Sequence, residues 1–375
     1  MYFMISFDLN QKKLKTSKGK HVKSPLMNIK KISPQFQNKG EESPVNTKKT
    51  TQDLHENKIR PSNLNEFLGQ SNLKKNLKVF LASSRKRNEP LEHTLFFGPP
   101  GLGKTTLSRI MAIEMGANFR ISSGPALEKS GDLAAILTNL KEGDVFFIDE
   151  IHRLRPAVEE VLYTAMEDFC LDLVVGKGPA ARTMRIKIPK FTLVGATTLA
   201  SLLSSPLRDR FGHHLEIEYY DESELSAIVQ RSAKILDINI DSDAADLIAK
   251  SARKTPRVAN RLLRRVRDFA VVAEKNNIDS KIVNKSLSAL GVDELGLDKA
   301  DRRFLQDLIE KFAGGPVGLS TISSSTGIES GTIEAVIEPY LLRLGFIART
   351  PRGRTATDLA FSHLGIKKRQ QSLGI

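Results

Sequence analysis

The first chemical signal is the run Gly98-Pro99-Pro100-Gly101-Leu102-Gly103-Lys104-Thr105, which has the spacing G-x-x-x-x-G-K-[ST]. It follows a strand-like run, Thr94-Leu95-Phe96-Phe97, and precedes a helical pattern carried by Leu107, Ile110 and Met111. Glycines let successive backbone N–H groups close on a phosphate, and the helix N-terminus beyond them adds partial positive charge. Lys104 is placed to reach the β- and γ-phosphates, and the Thr105 hydroxyl to ligate Mg²⁺. These residue types at this spacing specify a nucleoside triphosphate.

Downstream stands Asp144-Val145-Phe146-Phe147-Ile148-Asp149-Glu150. Its apolar stretch has no polar face, as a parallel strand buried on both sides requires. Asp149 and Glu150 fall at its C-terminal end, where open α/β sheets bind ligands. There Asp149 holds Mg²⁺ through water and Glu150 polarises an attacking water. Taken alone, the two acids also read as caps of the next helix. Beside a phosphate loop the hydrolytic reading prevails, and a built-in carboxylate base points to ATP rather than GTP.

A third apolar strand, Phe191-Thr192-Leu193-Val194-Gly195-Ala196, ends in Thr197-Thr198, either of which is placed to meet the γ-phosphate or the lytic water. Ser205-Pro206-Leu207-Arg208-Asp209-Arg210-Phe211 then sets two arginines beside a Pro-bounded helix. One reading is surface solvation. The other is an arginine finger, Arg208 or Arg210, inserted into a neighbour's nucleotide site, which contributes roughly 10³–10⁵ in rate and requires an oligomer.

The elements that position these groups must fit a chain of 375 residues with 57 Lys plus Arg against 43 Asp plus Glu, a formal charge of +14. At roughly 150 residues per domain this length suggests two or three domains. Cys170 is the single cysteine, which excludes an intrachain disulfide and a cysteine metal cage. No apolar run approaches the roughly 18 residues of a membrane span, so a cytoplasmic location is expected, and the basic surplus favours a polyanionic partner. Residues 1–50 hold eleven Lys, no Arg and three acids, a net of +8, which leaves +6 for the remainder. Residues 1–56 therefore read as a disordered, self-repelling basic arm with weak affinity for nucleic acid. A transit peptide or misassigned start is the second reading, and the first residues lack the basic-then-apolar order of a secretory signal.

Order is expected from Asn57, with a parallel-sheet domain over 57–218. Between its later strands, residues 171–188 read as a hairpin around Gly178-Pro179, its second strand alternating Met184, Ile186 and Ile188 with Arg185 and Lys187. Residues 219–290 read as helices, among them an arginine-rich one that starts at Thr255-Pro256. Residues 291–375 read as helix, turn, helix and a basic hairpin, the pattern of a winged helix. Arg302–Phe312 is the first expected helix, and on the helix over 330–344 Ile333, Val336, Ile337, Tyr340 and Leu341 are expected to face inward. Arg349, Arg352 and Arg354 stand where they reach DNA phosphates, contacts that are sequence-independent and salt-sensitive. Protein binding is the alternative use of such a module.

The succession of phosphate loop, Asp-Glu strand, Thr-Thr tip and Arg-x-Arg pair resembles the AAA+ ATPases. Longer strings carry the likeness to the RuvB family of Holliday-junction branch-migration motors. They are Ile59-Arg60-Pro61, Ile148-Asp149-Glu150-Ile151-His152-Arg153-Leu154, Met166-Glu167-Asp168-Phe169, Thr255-Pro256-Arg257-Val258-Ala259-Asn260-Arg261-Leu262-Leu263 and Arg349-Thr350-Pro351-Arg352-Gly353-Arg354. The likeness leaves out the basic arm.

The resemblance implies an α/β AAA+ core with a parallel P-loop NTPase sheet, an all-α lid and a C-terminal winged-helix domain. It implies a homohexamer that encircles duplex DNA at a Holliday junction held by RuvA, with RuvC in resolution, serving recombination and repair. Ile59 and Arg60 would contact the adenine side of ATP, and Gly101, Gly103, Lys104 and Thr105 its phosphates and Mg²⁺, with Thr106 beside the nucleotide. Glu167, Asp168, Phe169 and Tyr220 would lie near the nucleotide, and Arg257 would reach the γ-phosphate from the lid. Asp149, Glu150 and Thr198 would serve hydrolysis, with Arg210, or else Arg208, as the finger. The apolar side of the 171–188 hairpin would dock on RuvA. Two departures stand out: Leu199 where the family often has a basic residue, and Phe361 where it often has Trp. Neither touches the hydrolysis residues. A loader using ATP as an assembly switch is one competing class. A protein-remodelling chaperone is another, but it usually carries an aromatic pore loop where this chain has Gly124-Pro125-Ala126-Leu127.

Overall fold

The computed structural model describes residues 58–175 and 182–367. The basic arm expected over 1–56 and the tip of the 171–188 hairpin lie outside the described residues.

Strands β1 (Thr94–Phe97), β2 (Phe119–Ser123) and β3 (Val145–Asp149) are followed by a separate antiparallel pair, β4 (Cys170–Val175) and β5 (Arg182–Lys187). Then come β6 (Thr192–Thr197) and β7 (His213–Glu216). The main sheet has the order β2-β3-β6-β1-β7, and every neighbouring pair is parallel. Side chains alternate between the faces of a strand. Phe147 accordingly packs on one face with Leu107, Ile110 and Val194, and Phe146 on the other with Leu162, Leu193 and Phe211. Burying each such ring contributes about 1.5–3 kcal/mol. The parallel arrangement brings the C-terminal ends of β1, β3 and β6 to one edge.

The first of these apolar clusters does not stop at the sheet. It runs on through Tyr220, Leu225, Val229, Ile248, Leu263 and Val266 of the helical lid. Lid helices cover Glu222–Ile235, Ser242–Lys250, Pro256–Val272 and Ser280–Leu290. Asp221 caps the first of them: its carboxylate accepts from Glu224 N–H at 2.7 Å while its own N–H donates to the Glu224 carboxylate at 3.1 Å. A two-residue parallel pair, Asn239–Ile240 with Asn277–Ile278, joins the helices and was not expected from the sequence.

The C-terminal domain has its own core of Phe304, Leu308, Ile322, Ile333, Leu341 and Phe361. Its first helix is Lys299–Gln306, continuing as a wider i→i+5 turn over Asp307–Lys311. A short helix, Leu319–Thr326, follows, and a long irregular one runs from Ser330 to Arg343. Ile347–Thr350 and Gly353–Ala356 form the wing. Ile333, Ile337, Tyr340 and Leu341 face inward as expected, but Val336 is 55% exposed. An i→i+5 turn over Ile333–Ile337 is the cause, because the wider turn rotates the face away from ordinary helical spacing. No helix among the described residues is long and apolar enough to cross a membrane.

Candidate active site

The phosphate loop, the tips of β3 and β6, the Ile59–Phe67 segment and the lid enclose one cleft. The loop turns on glycines in left-handed backbone, with φ of 81° at Gly101 and 107° at Gly103. A Cβ at Gly101 would meet Arg257 Cβ at 3.1 Å, and one at Gly103 the Phe67 ring at 3.1 Å. Both walls of the cleft thus close to backbone distance only because the loop has no side chain there. Lys104 Nζ donates to the carbonyls of Gly98 at 2.7 Å and Pro99 at 2.9 Å. Burial pushes its pKa down to about 8, with the carboxylates of Glu150 and Asp149 opposing that shift.

At the end of β3, Glu150 holds a φ of 50°, a left-handed backbone that costs a non-glycine residue about 1–3 kcal/mol. Its N–H donates to Asp149 Oδ1 at 3.1 Å. The structure separates the two threonines. Thr198 lines the cleft and donates its hydroxyl to Glu150 Oε2 at 3.2 Å. Thr197 is fully buried behind it; its oxygen accepts from Leu199 N–H at 3.0 Å and lies 2.9 Å from His152 Nδ1. Burial holds the His152 pKa below its ordinary value, against the pull of Glu150.

From the lid, Tyr220 donates its hydroxyl to Leu102 O at 3.2 Å, and Arg257 N–H reaches Gly101 O at 3.3 Å. Pro256 opens the helix that carries Arg257, and Arg253 and Lys254 just before it are both left-handed, with φ of 51° and 57°. Ile59, Arg60, Thr105, Thr106 and Asp149 also line the cleft.

Several lining residues were not singled out from the sequence. Arg231 donates to Ile59 O at 2.8 Å and pairs with Glu66 at 3.1 Å, clamping the segment after the arm to the lid. Ser232 Oγ and Asn260 Oδ1, both on the cleft wall, are buried without a hydrogen-bond partner. Buried polar atoms nearly always find partners, so this wall offers hydrogen bonds to a ligand. A signal existed: Arg257, Asn260 and Arg264 share one helical face at i, i+3 and i+7.

Other expected residues lie elsewhere. Glu167, Asp168, Phe169, Arg208 and Arg210 are not among the residues lining this chain's cleft. Arg210 lies over the Tyr163 ring at 4.5 Å, with Glu167 Oε1 3.2 Å from its Nε, and donates to Pro206 O at 2.7 Å. Arg208 is half exposed beside Asp209. Phe169 packs edge-on against Phe191. In the wing, Arg349 Nε donates to Glu338 at 2.9 Å and Arg354 also pairs with Glu338, a carboxylate with no exposed surface. Arg352 at the turn is exposed.

A parallel-sheet phosphate-loop domain roofed by a helical lid and continued by a winged helix defines a P-loop ATPase of the AAA type. Residues 59–217 match the family described as Holliday junction DNA helicase RuvB P-loop domain. Residues 220–293 match the RuvB AAA lid domain, and 294–365 the RuvB C-terminal winged helix domain. The chain belongs to the RuvB family. Among solved structures it is similar to the Thermotoga maritima RuvB Holliday junction branch migration motor, at 50% identity and a TM-score of 0.76, over 83% of this chain and 99% of that one. Two substituted forms of Thermotoga maritima RuvB align at 50% identity over 82% of this chain and 99% of theirs, with TM-scores of 0.76 and 0.75.

Proposed function

We propose that the chain is an ATP-driven motor that moves Holliday junctions along duplex DNA. It works in the cytoplasm as a hexameric ring with RuvA and, in resolution, RuvC. The observation that carries this reading is the convergence of Lys104, Thr105, Asp149, Glu150, Thr198 and Arg257 on one cleft. The boundaries that accompany it are an arm over 1–56, an ATPase domain over 57–218, a lid over 219–290 and a winged-helix head over 291–375.

The Lys104 ammonium pairs with the β- and γ-phosphates, and the loop N–H groups cradle the chain between them. Thr105 and Asp149 offer the hard oxygen donors that suit Mg²⁺, which typically takes few protein ligands beside phosphates. When bound there, the metal supplies charge neutralisation on the phosphates. Glu150 accepts the proton of the attacking water. Thr198 senses the γ-phosphate from the tip of β6, and Arg257 couples that phosphate to the lid. Ile59 and Arg60 hold the adenine side, with Thr106 and Tyr220 beside the nucleotide. Arg210 is not among the residues lining its own cleft and is engaged by Glu167 and the Tyr163 ring instead, which suits a finger acting on the neighbouring subunit. Glu167 pairs with Arg210 there, and Asp168 and Phe169 follow it in sequence, so their nucleotide contacts are assigned to the neighbour as well. Met184, 48% exposed on β5, belongs to the hairpin face that docks on RuvA.

A synthetic four-way junction tests this reading. With RuvA, the protein should move the branch point in an ATP-dependent manner, and Glu150→Gln should bind ATP but neither hydrolyse it nor move the junction. Arg210→Ala should lose turnover alone and regain part of it in rings mixed with Glu150→Gln subunits. Normal turnover by Glu150→Gln would refute the base assignment, and no recovery at any mixing ratio would refute the finger.

A further inference from the structure

The geometry points to His152 as the positioning residue for the carboxylate of Glu150. His152 sits on the short turn Ile151–Arg153, which Glu150 separates from β3, and its side chain is only 8% exposed. It is not among the residues lining the cleft, so it acts on the site from behind.

Its Nδ1 lies 2.9 Å from Thr197 Oγ1 and 3.3 Å from Glu150 Oε2. An ionised carboxylate only accepts hydrogen bonds, so the nitrogen that faces it carries the hydrogen. Thr197 Oγ1 takes one donor from Leu199 N–H and keeps a lone pair for the imidazole. The hydrogen bond of Nδ1 is to Thr197, and the same atom stands 3.3 Å from Glu150 Oε2. Thr197 fixes the ring from the buried side and Glu150 meets it from the cleft side.

Oε2 of Glu150 thus accepts from Thr198 Oγ1–H and has the His152 imidazole against it at 3.3 Å. Among the described residues no hydrogen bond holds Oε1, which is left as the oxygen that takes a proton. Glu150 also sits on a left-handed backbone, a conformation that the surrounding structure must hold. When Thr198 turns its hydroxyl towards a γ-phosphate, the His152 imidazole is the polar group left against Oε2 and keeps the carboxylate aimed. This role rests on the reading of Glu150 as the base.

The test uses the full-length protein with His152→Asn, His152→Gln, Glu150→Gln and the double variant Glu150→Gln with His152→Gln. The asparagine amide reaches the position of Nδ1; the glutamine amide reaches that of Nε2. DNA-stimulated kcat and KM, affinity for a fluorescent ADP analogue and melting temperature are measured for each. His152→Gln should lower kcat about tenfold to a hundredfold, as misaimed catalytic groups do, with KM, ADP affinity and melting unchanged. His152→Asn should keep kcat within a few-fold of the parent. The double variant should be no slower than Glu150→Gln. Equal kcat for the Asn and Gln variants would overturn the proposal. So would a further drop in the double variant, or a loss of melting temperature or ADP affinity that tracks the loss of kcat. If Glu150→Gln itself turns over ATP normally, the base assignment fails, and that outcome is read independently of the His152 variants.

Discussion

Tyr220 donates its hydroxyl to the carbonyl of Leu102 at 3.2 Å, pinning the first residues of the lid to the middle of the phosphate loop. Its N–H donates to the carbonyl of Lys254 at 3.2 Å. The preceding residue, Tyr219, carries the guanidinium of Arg343 3.5 Å above its ring. Adjacent tyrosines therefore touch the loop on one side and the winged-helix domain on the other. Arg253 makes a second such bridge through Gly296 O, Asp298 and Asp301.

Tyr220→Phe should leave the buried Leu102 carbonyl unpaired, a loss of about 1–3 kcal/mol. The melting temperature should fall and the affinity for a fluorescent ADP analogue should weaken, with the helical content intact. Unchanged melting and affinity would show that the hydroxyl does not anchor the loop.

Proton uptake should accompany nucleotide binding above neutral pH. Burial holds the Lys104 pKa at about 8, below the ordinary lysine value. Between those two values the unfolded chain binds more protons than the folded one, so for this group alone stability rises with pH across that window. Nucleotide binding runs the other way, because a polyphosphate favours the charged ammonium. Affinity should fall as pH rises through about 8 and beyond, while binding takes up a fraction of a proton. Titration calorimetry near pH 8 in two buffers of different ionisation enthalpy, with Lys104→Met as the control, measures this directly. Identical apparent enthalpies in the two buffers would sink the prediction.

The wing arginines should divide by role. Arg352→Ala should weaken duplex DNA binding and reduce the slope of log affinity against log salt by about 1, with melting unchanged. Arg354→Ala should instead destabilise the head, because it leaves Glu338 buried with one fewer partner; breaking such a pair costs about 3–5 kcal/mol. Matching DNA and melting phenotypes in the two variants would show that both arginines do the same thing.

What was legible in the sequence follows from locality. The phosphate loop, the Asp-Glu strand and the Thr-Thr tip are short strings whose strand and helix context is written in the adjacent residues, and the parallel sheet that joins them is observed. Sequence alone left open which threonine faces the cleft, because neighbours in a strand point to opposite faces and the register decides. Arg231 was illegible: it meets Ile59 across 172 positions, through a lid helix whose docking no local pattern reveals. Glu338 as the partner of Arg354 is illegible for a related reason. An arginine in a wing reads as a phosphate contact, and only the packed domain shows a carboxylate with no exposed surface waiting behind it. Ordinary helical spacing places Val336 inward, and the wider turn does not obey that spacing.

The apolar cluster shared by the sheet and the lid limits how such a machine can move. Swinging the lid open like a door would bare the seam to water; exposing even 400 Å² of it would cost about 10 kcal/mol, comparable to the entire stability of a domain. Apolar faces resist separation but tolerate slippage. A short lateral shear would keep that seam covered, so the lid is expected to slide on the sheet rather than swing away from it.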